Sequence, residues 1–166
     1  MIRVDIETIV MAAGSIPSII VLRERSSSSN SESPMRALSI QTGSYEAASI
    51  SRGIKDEDNT RPISHDVLAN ALTELDAKVA RVEIDRVEAP VFYASIIIND
   101  KEGVEHKIDA RPSDAIALAV RTNAPIFVED DVMNRAGSVS YRSEEDAEAE
   151  YERFDEFVQT LSPDDF

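Results

Sequence analysis

Cysteine is absent, which excludes disulfides and thiolate metal sites. Long apolar runs are absent too, since no stretch approaches the roughly 20 residues that a membrane span needs. Lysine is scarce: Lys55, Lys78, Lys101 and Lys107 are the only four. The chain has no GxGxxG, no P-loop, no HExxH, no GxSxG and no Cys/His spacing of the metal-binding kind. Nor does any strand-like run join basic and aromatic residues in the way a base-stacking surface requires.

What is present is acid. Asp and Glu number 32 against 17 Lys and Arg, for a net charge of −15 over 166 residues. An acid excess with so little lysine suits a surface that must stay hydrated in concentrated salt. It points to halophilic origin, with stability expected to rise with KCl. Such a surface argues against a broad basic nucleic-acid interface. At molar salt the Debye length falls to roughly 3 Å, so repulsion of a polyanion largely vanishes there, and a small site is not excluded. The opening run MIRVDIETIV alternates and carries Asp5 and Glu7, which reads as a strand and not a signal peptide. The expectation is a cytoplasmic protein with no membrane association.

The clearest local unit is His106–Asp130. Arg111-Pro112 breaks a strand that ends near Ile108. Ser113 is expected to cap a helix, with Asp114 complementing the positive end of its dipole. Alanines at 115, 117 and 119 let that helix lie close to a neighbour. Asn123 and Pro125 end it, and Ile126–Val128 reads as a buried strand. Earlier in the chain, strands are expected at 2–12, 18–24 and 35–41, with a serine-rich loop at 26–34. A short helix should start at Glu46, followed by a charged loop at 52–59. A helix over 62–76, capped by Ser64, should bury Val67, Leu68, Ala71, Leu72 and Leu75. Strands follow near 82–87, 92–98 and 104–109. FYASIII at 92–98 is apolar on both faces and must be an interior strand. A last short helix at 131–136 ends at Gly137.

This order repeats: three strands, a short helix, a second helix. IQTGSYEAASIS (40–51) lies over IDARPSDAIALA (108–119) without a gap at an offset of 68. The predicted fold is therefore α+β, an internal duplication of a β3α2 unit. Its sheets would be mixed or antiparallel and related by pseudo-two-fold symmetry, with a C-terminal helix added. The domain would span 1–137, with halves of about 1–77 and 78–137. Residues 138–166 form an acidic tail in which Ala147, Tyr151, Phe154, Val158 and Leu161 recur at spacings of 4, 3, 4 and 3. Two heptads are too short to stand alone, so this seam must dock on the body or on a partner subunit.

Three groups of residues could carry chemistry. His65-Asp66 sits at a helix start, where a histidine beside carboxylates can act as general base or metal ligand, or can simply bond the local backbone. Glu46 and Asp114 are equivalent across the proposed repeat. Facing each other, they could hold Mg²⁺ or Mn²⁺ for phosphodiester hydrolysis, with Asp109 joining them, or they could serve the helix dipoles and pair with Arg111 or Arg61. Arg61 and Arg111 both precede proline, which holds them extended. There each could clamp a phosphate or lock its turn. His106 reads as an ordinary surface or half-buried histidine.

Four stretches carry a resemblance: ALSIQTGSYEAASI (37–50), RPISHDVL (61–68), FYASIII (92–98) and, most specifically, IDARPSDAIALAVRTNAPIFV (108–128). Through them the chain resembles the bifunctional nuclease domain family over residues 1–137. FDEFVQTLSPDDF is similar to tails that follow this domain. The resemblance implies a duplicated α+β fold, self-association as dimers or larger, and a nuclease label covering RNA and DNA. The family's motifs place Glu46, Arg61, His65, Asp66, Asp109, Arg111, Ser113 and Asp114 at matching positions. Two features depart from the pattern: the long Ser-rich loop at 26–34, and Gln41-Thr42-Gly43 before the first helix.

Two functions follow. In one, a divalent-metal-assisted nuclease uses Glu46, Asp109 and Asp114 as metal or water ligands. Arg61, Arg111 and Ser113 then bind substrate, while His65 and Asp66 move protons beside Asp114. In the other, a non-catalytic oligomeric binding or regulatory module uses the RPSDA motif as a structural lock.

Overall fold

The computed structural model describes residues 1–25, 35–55 and 61–139. Three strands come first: β1 (Ile2–Val10), β2 (Ser18–Glu24) and β3 (Arg36–Thr42). Helices α1 (Ser44–Lys55) and α2 (Ser64–Glu74) follow. Then come β4 (Lys78–Glu88), β5 (Val91–Asn99), β6 (Glu105–Ala110), α3 (Pro112–Thr122), β7 (Ile126–Val128), α4 (Asp130–Ala136) and β8 (Ser138–Val139).

All the strands join one mixed sheet in the order β6-β5-β4-β7-β1-β2-β3-β8. Each group of three consecutive strands is antiparallel within itself. The short β7 joins the groups, parallel to β4 and antiparallel to β1. The expected α+β class with a mixed sheet is what forms. β5 lies between β4 and β6, and Ala94 through Ile98 are all buried, as an apolar run in an interior strand should be.

The helix over 112–122 is the hub of the packing. Pro112 occupies the first helical position, where no amide partner is lost. Asn123 ends the helix at φ 53°, a left-handed cap that asparagine tolerates. Between them Ala115, Ile116, Ala117, Leu118 and Ala119 are all buried in one core with β2, β4, β5 and β7. A helix apolar on every side belongs inside a fold. α1 and α2 pack on α3, and α4 packs on β3 and β4. Gly53 permits the α1–α3 approach: a Cβ there would sit 2.6 Å from Val120 Cγ2.

β3 and β6 end, and α1 and α3 begin, 68 residues apart, matching the offset in the sequence. Among the described residues β7 has no counterpart between α1 and α2. The expected loop at 26–34 and the heptad-bearing tail helix lie outside the described residues. Among the described residues no helix is long and apolar enough to cross a membrane.

Several local expectations need correction. α1 begins at Ser44, not Glu46, and continues to Lys55 into the span expected as loop. α2 is capped at Ile63 instead of Ser64, and Asp66 Oδ2 accepts the Ile63 amide at 2.9 Å. α3 is capped at Arg111, with Ser113 inside the first turn. Gly137 caps α4 in an extended conformation, where a Cβ would collide with the Met133 carbonyl. The largest correction concerns the face of α2. Val67 and Leu75 are 52% and 70% exposed, Leu68 is exposed too, and the residue α2 buries is His65.

These burials predict an asymmetry. Ile116→Ala removes a fully buried side chain from the hub and should cost about 2–5 kcal/mol in denaturant unfolding. Leu75→Ala should stay within about 0.5 kcal/mol of wild type. Comparable losses at the two positions would contradict this packing.

Candidate functional site

The starts of α1 and α3 lie side by side and each carries a carboxylate in its first turn, Glu46 and Asp114. Gly43 gives Glu46 room, since a Cβ there would collide with the Glu46 carboxylate. The two acids converge, as the repeat suggests, but on a guanidinium. Arg111 Nη2 donates to Glu46 Oε1 at 3.3 Å, and Arg111 Nε donates to Asp114 Oδ2 at 3.0 Å. Arg111 itself is 69% exposed.

Asp114 connects inward. Its Oδ1 lies 3.0 Å from His65 Nε2, and His65 Nδ1 lies 2.7 Å from Ser49 Oγ. The tautomer with its proton on Nε2 satisfies both contacts: the ring donates to the carboxylate and accepts from the hydroxyl. Ser49 Oγ in turn accepts from Arg121 Nη2 at 3.1 Å, and the Ser49 carbonyl accepts from the same nitrogen at 3.1 Å. Arg121 Nη1 donates to the Ala117 carbonyl at 2.8 Å, and Nε donates to Asp66 Oδ1 at 2.6 Å. One continuous polar chain therefore runs from Glu46 through Arg111, Asp114, His65, Ser49 and Arg121 to Asp66.

Its electrostatics follow from these contacts. Burial pushes the Asp114 carboxyl up, but hydrogen bonds from His65 and Arg111 outweigh it and hold the group below the usual range. The Arg121 hydrogen bond, helped by the Ile63 amide, does the same for Asp66 against a smaller desolvation cost. The Asp114 contact, with Glu46 assisting, raises the Arg111 guanidinium further.

Ser49, His65 and Asp114 are the residue types of a nucleophilic triad, but the geometry denies that role. Ser49 is 1% exposed and its oxygen is already engaged by Arg121. The serine also meets Nδ1 and the carboxylate Nε2, the reverse of the hydrolytic arrangement. His65 is 6% exposed and bonded at both nitrogens, and Asp66 is paired with Arg121.

Asp109 does not join Glu46 and Asp114. It pairs across the ladder with Ser95, whose neighbours Ala94 and Ile96 point into the core, so Asp109 faces the other side of the sheet. There it shares a shallow polar depression with Asp85, Lys107 and Glu129. Among the described residues no three His, Asp or Glu side chains are placed to hold a metal ion together. The expected ligand set of Glu46, Asp109 and Asp114 therefore does not fit Mg²⁺ or Mn²⁺. Arg61 is exposed and stands apart from the chain of contacts, and Ser113 is buried beneath the helix start. His106 is a surface residue paired with Asp100 at 2.7 Å.

Arg121 was not picked out from the sequence. A basic residue in a last helical turn ordinarily reads as complementing the dipole. Its burial, 8% side-chain exposure, depends on partners 55 and 72 residues away.

A family model for the bifunctional nuclease domain matches residues 21–140. Two uncharacterized proteins of Mycobacterium tuberculosis, from strains CDC 1551 / Oshkosh and ATCC 25618 / H37Rv, are each 36% identical to this chain over 137 residues. Those alignments cover 79% of this chain and 81% of each relative. The chain belongs to the bifunctional nuclease domain family. The halophilic origin suggested by the charge balance finds no support in these mycobacterial relatives.

The carboxylates predict a pH dependence. Both aspartates release protons more readily folded than unfolded, so their contribution is complete above about pH 4 and is lost as pH falls below it. Acid unfolding followed by circular dichroism should show this loss. Asp66→Asn, whose amide does not titrate, should show a shallower one. An unchanged slope in that variant would remove the Asp66–Arg121 pair from the account.

Proposed function

We propose that the chain acts on nucleic acid as a nuclease, hydrolysing phosphodiester bonds of RNA and DNA. The observation that carries this reading is membership of the bifunctional nuclease domain family across residues 21–140. At the corner, the exposed Arg111 guanidinium is the group best placed to meet a substrate phosphate, because its outer edge is open while Glu46 and Asp114 hold its inner one. A divalent cation could use Glu46 and Asp114 only after Arg111 left the space between them, so no catalytic step is routed through a metal here. We take the protein to be cytoplasmic and to self-associate as a dimer or larger.

A second reading has its own observation. His65 is locked at both ring nitrogens, and Arg111 fills the space between the two acids. That arrangement suits a structural RPSDA corner in a non-catalytic binding or regulatory module.

One assay separates them. Purified protein is incubated with RNA and with single-stranded DNA, with and without Mg²⁺ or Mn²⁺, beside Asp114→Asn. The nuclease reading predicts hydrolysis by wild type, lowered about tenfold or more in the variant, whose neutral amide holds Arg111 less firmly. Equal hydrolysis by both would move the chemistry away from this corner. No hydrolysis by either would leave the binding module.

A further inference from the structure

The sheet ends in two unlike edges. At one end β8 is only two residues long, which leaves little for another strand to pair with. At the other end β6 pairs with β5 alone among the described residues. Its register runs unbroken from Ala94↔Ala110 to Asn99↔Glu105, with no bulge and no proline inside the strand. Every β6 residue except Ala110 is exposed, Ile108 at 46%. The Asp100 amide donates to the Val104 carbonyl at 3.0 Å, and bonded and unbonded pairs alternate from there along the ladder. Ile98↔His106, Ile96↔Ile108 and Ala94↔Ala110 are then the bonded pairs. The N–H and C=O groups of Glu105, Lys107 and Asp109 therefore point away from the sheet, and no described strand pairs with them.

The side chains of the same three residues choose a partner. They read acid, base, acid on the face of the sheet away from the core that Ile96 lines. Asp109 has no hydrogen-bonding or ionic partner among the described residues. Lys107, paired with Asp85 at 3.1 Å, still leaves its side chain 59% exposed. A lysine on an edge ordinarily turns a new strand away. An antiparallel copy of this same strand is the exception. With a two-fold axis through Ile108, Lys107 of each copy stands opposite Asp109 of the other, and the two exchange main-chain hydrogen bonds. An axis through Lys107 would set Lys107 against itself and Glu105 against Asp109. An axis through Asp109 would set the two aspartates against each other. On the core side of the sheet the Ile108 axis also brings the two exposed Ile108 side chains together. We propose that a second copy of this chain pairs with β6 in antiparallel register about Ile108, joining the two sheets edge to edge. This gives the self-association read above a surface, and it does not rest on hydrolysis at the Arg111 corner.

Sedimentation velocity tests it near physiological salt, where repulsion between two chains of net charge −15 is screened. Wild type should sediment as a dimer at micromolar concentration. Lys107→Glu sets acid against Asp109 twice in each dimer and should weaken it about tenfold or more. Lys107→Glu combined with Asp109→Lys restores opposite charges and should recover most of the affinity. Both of these variants lose the Lys107–Asp85 pair, so the recovery isolates the contact between copies. Lys107→Pro removes an outward N–H that the fold itself does not use, so it should give a monomer with the circular dichroism of wild type. A monomeric wild type would overturn the proposal and the self-association together. A dimer equally tight in Lys107→Glu and Lys107→Pro would overturn this interface alone.

Discussion

A single imidazole joins three helices. His65 is the one residue α2 buries, and both its nitrogens are spent on other helices, Ser49 of α1 and Asp114 of α3. Because buried polar groups are costly when unpaired, the contact fixes the mutual position of α1, α2 and α3 more sharply than apolar packing could. The rest of the corner depends on it. With Asp114 held from inside by His65, its outer oxygen is presented to Arg111, and Arg111 then reaches Glu46. On the other side Ser49 passes the linkage to Arg121, whose guanidinium organises Asp66 and the start of α2.

This arrangement explains why α2 is turned the way it is. An apolar stripe of Val67, Leu68 and Leu75 ordinarily faces a core, yet here it faces outward. The core behind α2 is already closed by α3, whose alanines and Ile116 and Leu118 meet the sheet directly. What α2 adds is a polar plug. Ala69 and Leu72 supply the modest apolar contact beside it.

The parts of the fold legible in the sequence were those decided by neighbours along the chain. The apolar run at 92–98 gave an interior strand, and the Pro112 and Asn123 boundaries bracketed α3. The convergence of Glu46 and Asp114 was legible as well, through the offset of 68. What stood between them was not, because an arginine beside its own helix start reads equally as clamp or lock. The face of α2 was misread for a related reason. Periodicity weighs apolar against polar residues, whereas His65 is buried by partners 16 and 49 residues distant. Asp109 points outward, but not toward the two acids it was expected to join. It pairs with Ser95 on the face of the sheet away from the core that Ala94, Ile96 and Ile98 line, and the chain turns into α3 only after it.

The claim that His65 holds α2 to the body is tested most directly by native-state amide hydrogen exchange in His65→Leu. Leucine fills much of the space but bonds neither Ser49 nor Asp114. The account predicts that amides of α2 lose protection while those of β4 and β5 keep theirs. Unchanged protection across residues 64–74 would show that α2 is held by something other than this imidazole.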